Sequence, residues 1–226
     1  MLEFVNGHPN ARLERRDCDV SFGEKTFWSE FNYQRGKEIF GETEPADYVY
    51  QIISGAVRSF KLLPDGRRQI GAFHLPGDIF GIETGDAYRL TAEAITDTTV
   101  WIANRRSLFG EGAEKNISSD VLKLIARSLH HAESHLMLLG RQNAVERLAA
   151  FLTEIDERLQ SPNIMILPMT RRDIADYLGL TLETVSRSFS MLEREGILSL
   201  PGHHRKEIVL HRRSKLARLG LLRLAP

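Results

Sequence analysis

At 226 residues, with 42% hydrophobic and 27% charged positions, the chain has the make-up of an ordinary soluble globular protein, long enough for two modest domains or one large one. Its 30 Lys and Arg balance 30 Asp and Glu, and a net charge of zero by itself argues weakly against a nucleic-acid partner. The single cysteine, Cys18, excludes an internal disulfide and any all-cysteine zinc or iron–sulfur site within one chain.

Residues 1–30 are polar and irregular, with a charged cluster from Arg12 to Asp19. No apolar run there resembles a signal peptide, and nothing approaches the roughly 18 apolar residues of a membrane span, so the expected location is cytoplasmic, with no membrane partner. From about 31 to 103, short strand-like segments alternate with glycines: Tyr48–Ile53, Ala56–Leu63, Gln69–Phe73 and Thr98–Ala103. Pro64-Asp65-Gly66 is a turn with a mechanism, proline fixing φ and glycine accepting positive φ, and should close a hairpin. Many short strands without intervening helices predict an antiparallel barrel or jelly roll.

The rhythm changes near Asn116. Leu122, Ile125, Leu129, Ala132, Leu136 and Leu139 recur at alternating spacings of three and four, a heptad seam along one long helix. Such a helix could pack on its own barrel, but a seam this narrow favours a homodimer. His131 and His135, four apart, lack a third ligand, so they are read as solvated or interface histidines and no metal is expected. Val145, Leu148, Ala149, Leu152 and Ile155 make a second amphipathic helix, which Ser161-Pro162-Asn163 breaks; Ile164–Leu167 is a short strand.

Residues 169–196 read as a helix-turn-helix. Thr170 caps a first helix whose inner positions are Ile174, Ala175 and Leu178, and Gly179 supplies the sharp turn. Thr181 caps a second helix with Val185, Phe189 and Leu192 inward at i, i+4 and i+7. Glu183, Ser186 and Arg187 share another face near its N-terminal end, where such helices meet base edges in the major groove. A carboxylate can accept from cytosine N4, and an arginine can bond guanine O6 and N7 together. Ile197–Leu200, a turn at Pro201-Gly202 and Glu207–Leu210 form a hairpin. Its basic tip (His203, His204, Arg205 and Lys206) is placed to touch phosphate, and Arg212, Arg213 and Lys215 begin a final basic helix. Charge is correspondingly uneven: residues 167–226 hold 11 basic and 6 acidic side chains, which leaves 1–166 at −5.

The fold class is therefore α+β, with a β-roll regulatory domain over 1–115, a dimerisation helix over 116–142 and a winged helix-turn-helix over 143–226. No catalytic triad, phosphate loop or metal-spaced cluster suggests an enzyme, and no cofactor is called for.

This order of parts resembles the CRP/FNR superfamily of bacterial transcription regulators. The resemblance rests on Tyr48-Val-Tyr-Gln-Ile-Ile-Ser-Gly55, Asp65-Gly66-Arg-Arg-Gln-Ile, Phe73-His-Leu-Pro-Gly77-Asp78-Ile-Phe-Gly81 and Met169 to Arg187. Glu183, Ser186 and Arg187 match the Glu-x-x-Ser-Arg of the FNR and FixK branch, whereas the cyclic-AMP-responsive branch has an arginine where this chain has Leu182. The resemblance implies a palindromic double-stranded DNA target with TTGAT-type half-sites, Arg187 on the guanine, Glu183 on the facing cytosine and Ser186 toward the outer thymines. Thr170, Thr181, Thr184, His204, Arg205 and Lys206 would set the register on phosphates, and exposed loops such as 64–68 would meet RNA polymerase. Two departures stand out. With Cys18 alone, the FNR oxygen-sensing cluster is missing. Gly81-Ile82-Glu83 and Arg89-Leu90-Thr91 also each break a cyclic-nucleotide phosphate grip by one residue, and a buried phosphate without its arginine is costly. The FixK-type group remains, with an effector-gated sensor as the alternative.

Overall fold

The computed structural model describes residues 28–109, 119–140, 143–160, 163–201 and 206–220, and a short antiparallel pair near the N-terminus, β1 (Phe4–Val5) with β2 (His8–Pro9). Cys18 and the wing-tip residues His203, His204 and Arg205 lie outside the described residues. In chain order the remaining strands of the N-terminal half are β3 (Trp28–Tyr33), β4 (Glu38–Phe40), β5 (Tyr48–Ser54), β6 (Val57–Leu62), β7 (Arg68–His74), β8 (Ile79–Phe80), β9 (Thr91–Ala94) and β10 (Thr98–Asn104). After these come α1 (Arg105–Phe109), α2 (Ser119–Leu139), α3 (Ala144–Leu159), β11 (Ile164–Ile166), α4 (Arg171–Leu178), α5 (Leu182–Arg194), β12 (Leu198–Ser199), β13 (Glu207–Leu210) and α6 (Arg213–Gly220).

Two compact units emerge. Met1–Val57 with His74–Leu129 form the first; Arg58–Phe73 with His130–Pro226 form the second. The division between the units falls inside α2, and residues 58–73 of the β6–β7 hairpin group with the C-terminal helices.

In the first unit β10 is central, running antiparallel to β3 (Thr98 opposite Tyr33) and to β5 (Asn104 opposite Tyr48), with β8 beyond β5. Period-two alternation sends Val100 and Ile102 inward. Before the chain returns, Gly55 takes φ +86°, and a Cβ there would overlap the Asp97 carbonyl, so only glycine fits. The interior is aromatic. Phe40 stacks on Tyr88 at 3.7 Å between centroids, Tyr50 on Phe80 at 5.2 Å, and Ile39, Ile52, Ala92 and Val100 close the cluster. Burial pushes the Tyr88 phenol up to about 12; its hydroxyl donates to the Tyr48 carbonyl.

In the second unit, the β6–β7 hairpin turns where proline and glycine predict it: Gly66 has φ +80°, and the Leu63 amide donates to the Arg67 carbonyl at 2.8 Å. Helix α3 starts at Asn143, whose side chain accepts from the Glu146 amide, and it buries Leu148, Ala149, Phe151, Leu152 and Ile155. Helix α6 packs on α3 so closely that a Cβ on Gly220 would sit 2.9 Å from the Ala150 Cα. The wing is a three-stranded antiparallel sheet of order β11-β13-β12. The α+β class, the order of elements and the long helix are as the sequence predicts. No helix among the described residues is long and apolar enough to cross a membrane.

Helix α2 carries the expected seam, with its six positions divided. Leu122, Leu129 and Leu136 are 53%, 60% and 67% exposed, and Ala132 is exposed. Ile125 instead packs partly against Trp28, Val49, Ile79, Ala103 and Leu108 of the first unit, and Leu139 is half-buried. Of the seam positions, Ile125 thus packs within its own unit, while Leu122, Leu129, Ala132 and Leu136 are left exposed along one side of the helix.

Candidate nucleic-acid interface

The two helices of the motif are held by local chemistry at every boundary. The Thr170 hydroxyl accepts from the Asp173 amide, and the Asp173 carboxylate accepts from the Thr170 amide at 2.9 Å, a reciprocal capping box. Gly179, at φ +63°, ends α4 in the left-handed region and donates to the Ala175 carbonyl. Two residues later Thr181 caps α5, accepting from the Thr184 amide at 3.1 Å. Val185, Ser188, Phe189 and Leu192 are buried, which turns the opposite face of α5 outward.

That outward face holds Glu183 and Arg187, both exposed, with Ser186 half-buried between them. The Glu183 carboxyl accepts from its own amide and from the Thr181 hydroxyl. These bonds, together with Arg172 and Arg187 nearby, hold it below the usual carboxylate range. It is thus an anion and a pure acceptor at neutral pH, as pairing with an exocyclic amine requires. Thr170, Thr181 and Thr184 sit at the two helix starts, where the helix dipole favours an anion such as phosphate. The Lys206 ammonium donates to the Pro168 carbonyl at 3.1 Å, tying the base of the wing to the residues before the α4 cap.

Two contacts of this unit were not legible beforehand. Arg58 Nη1 and Arg68 Nη2 each donate to Asp173 Oδ1 at 2.6 Å, and Arg68 also donates to Asp176 Oδ2 through Nε at 2.9 Å and Nη2 at 2.7 Å. His135, read from the sequence as solvated or at an interface, is buried: its ring stacks on Tyr177 at 3.9 Å and Nε2 donates to the Tyr177 carbonyl at 2.9 Å. It lies on the side of α2 away from the exposed leucines, which a heptad count does not resolve. Burial lowers its pKa, against the opposing hydrogen bonds to the Tyr177 and Gly71 backbone. A folded pKa below the unfolded value of about 6.5 means that the unfolded chain takes up the proton first as pH falls. Stability should therefore be full above about pH 6.5 and decline below it. Urea midpoints between pH 7.5 and 5.5 should fall in the parent and change less in His135→Gln.

Two capped helices joined through a left-handed glycine and followed by a β-hairpin define a winged helix-turn-helix DNA-binding regulator. Residues 146–219 match the Crp-like helix-turn-helix domain, and residues 30–111 match the cyclic nucleotide-binding domain. The chain is 44% identical over 193 residues to the nitrogen fixation regulation protein FixK of Azorhizobium caulinodans, covering 83% of this chain and 77% of that one. It is 45% identical over 168 residues to the protein of the same name from Rhizobium meliloti, covering 74% and 77%. Among solved structures it resembles FixK2 from Bradyrhizobium japonicum, with a TM-score of 0.79, 54% identity, and coverage of 86% of this chain and 98% of that one. The chain belongs to the CRP/FNR family of transcription regulators, in its FixK branch; it is a DNA-binding regulator and not an enzyme.

The domain matched by residues 30–111 raises the question of a cyclic nucleotide. The side chains do not fit one. Phe40, Tyr50, Phe80 and Tyr88 fill the core of the first unit with stacked rings. Arg89, the arginine nearest the family's phosphate grip in sequence, is 79% exposed, and its Nε donates to Glu83 at 2.6 Å. The two side chains that would have to hold a phosphate and ribose pair with each other instead, Arg89 from solvent and Glu83 from a largely covered position.

Proposed function

We propose that the protein is a homodimeric transcription activator that binds palindromic TTGAT-type half-sites without a small effector. In keeping with the names of its relatives, it would serve genes of nitrogen fixation, and the resemblance to the FixK group extends this to micro-oxic respiration. The observation that carries this reading is the outward face of α5, where Glu183, Ser186 and Arg187 stand clear of the buried Val185, Phe189 and Leu192. Arg187 would take the guanine, Glu183 the facing cytosine and Ser186 the outer thymines, with one α5 of each subunit in successive major grooves about 34 Å apart. Thr170, Thr181 and Thr184, with Lys206 and the wing tip, would hold phosphates. Pro64, Asp65, Gly66 and Arg67, exposed at the hairpin turn, would meet RNA polymerase.

The decisive measurement is a titration of purified, ligand-free protein against a TTGAT palindrome and a shuffled duplex. Selective binding without any addition supports the reading. Binding that appears only after a small molecule is supplied would establish the effector-gated alternative.

The dimer rests on the exposed leucines of α2. Leu129→Asp removes an apolar contact between copies at a position that contributes little burial within one chain, so stability should change by no more than about 0.5 kcal/mol. Sedimentation should show a monomer. Affinity for the palindrome should drop by roughly 100-fold or more, because the second half-site no longer binds intramolecularly. A variant that remains dimeric would move the interface elsewhere.

A further inference from the structure

Arg58 and Arg68 stand on adjacent strands, β6 and β7, and both lie over the Phe60 ring, at 5.9 and 5.5 Å from its centroid. Both grip the same oxygen of Asp173, a side chain only 3% exposed, while the other oxygen of Asp173 is occupied by the Thr170 amide and hydroxyl. Asp176, one turn further along α4, receives two more bonds from Arg68. One planar guanidinium thus makes three short bonds to two carboxylates of a single helix face, which fixes rotation about the helix axis as well as distance. At the other end of the hairpin, Phe73 packs on Tyr177 at 5.0 Å, and its carbonyl accepts from Arg158.

A buried cluster of this kind is a weak source of net stability, since apolar side chains of similar volume often serve as well or better. Apolar packing, however, lets a helix slide and roll, and a base-reading helix must be aimed. Helix α4 is joined to α5 through only Gly179, Leu180 and Thr181, with both ends capped, so the setting of α4 is passed directly to α5.

We propose that Arg58 and Arg68 are positioning residues for DNA recognition: by clasping Asp173 and Asp176 they hold α4, and with it the reading face of α5, in one rotational setting. The proposal rests on α5 as the reading helix. Neither arginine is assigned a contact with DNA.

The test uses the full-length protein as Arg68→Lys, Asp176→Asn and the double variant. Lysine keeps the charge but not the fork. Asp176 lies outside the capping box and is 20% exposed, so its amide variant leaves the cap of α4 intact. Affinity for the TTGAT palindrome should fall about tenfold in each single variant, a shift of about 1.4 kcal/mol. Affinity for a shuffled duplex should stay within about twofold, with an unchanged salt slope, because no phosphate contact is lost. The double variant should be no worse than either single one, as expected of residues acting through one contact. Hydrogen exchange without DNA should quicken in α4 and in the turn at 179–181.

Palindrome affinities within about twofold of the parent, equal losses on both duplexes, or a salt slope reduced by about one for Arg68→Lys would each overturn the clasp. If the parent itself fails to prefer the palindrome, base readout by α5 is what fails. The exchange arm then still decides the clasp: faster exchange supports it, and parent-like exchange removes it.

Discussion

Asp173→Ala is expected to lower the unfolding free energy of the second unit by about 4 kcal/mol. Two losses combine. The capping box at Thr170 disappears, at a typical cost of about 1 kcal/mol. Arg58 and Arg68 also lose the carboxylate they share, and removing one partner of a buried ion pair costs about 3–5 kcal/mol because charge is left uncompensated. These effects overlap, so they do not add in full. Against a typical domain stability of about 5–15 kcal/mol the loss is severe. Urea denaturation followed by helix ellipticity would measure it, and a loss below about 1 kcal/mol would mean that neither the cap nor the arginines depend on this carboxylate.

The same residue gives the change a pH signature. Burial alone would raise the Asp173 pKa, but the bonds from Thr170 and the charges of Arg58 and Arg68 outweigh it and hold the carboxyl below its ordinary 3.8. With the folded pKa depressed, the contribution is fully present above the unfolded value and is lost as pH falls through the folded one. The difference in stability between parent and Asp173→Ala should therefore be widest near neutrality and shrink below about pH 4.

Arg187→Ala should leave the fold intact and remove discrimination at one base pair of each half-site. Arg187 is exposed on α5, and alanine is at least as good a helix former. Loss of a bidentate guanine contact is worth about 1–3 kcal/mol. Competition binding with duplexes altered one position at a time should show a flattened preference at the guanine and little change elsewhere. Equal losses on specific and shuffled DNA would assign Arg187 to the phosphates instead.

The helix-turn-helix was legible because each of its signals is local. Thr170, Gly179 and Thr181 act on backbone within four residues of themselves, and the inward series of α5 needs nothing but helical periodicity. The Pro64-Asp65-Gly66 turn was legible for the same reason. Strand β3 was not: Trp28–Tyr33 begins inside a stretch that composition marks as irregular, and what makes it a strand is pairing with β10 far along the chain. The arginine clasp was equally hidden, since Arg58 and Asp173 lie 115 residues apart. One signal could have raised it. Asp173 and Asp176 flank the inward Ile174 and Ala175 on a short helix, and carboxylates there need partners if they are not to face water.

The leucines that a single chain leaves in solvent along α2 bear on how the gene product would act at different doses. If only paired chains grip a palindrome, the amount of DNA-competent protein rises as the square of total chain while pairs are scarce, so doubling synthesis raises occupancy roughly fourfold. A regulator whose core is packed with its own aromatic rings would then take its threshold from abundance, through the steepness of self-association.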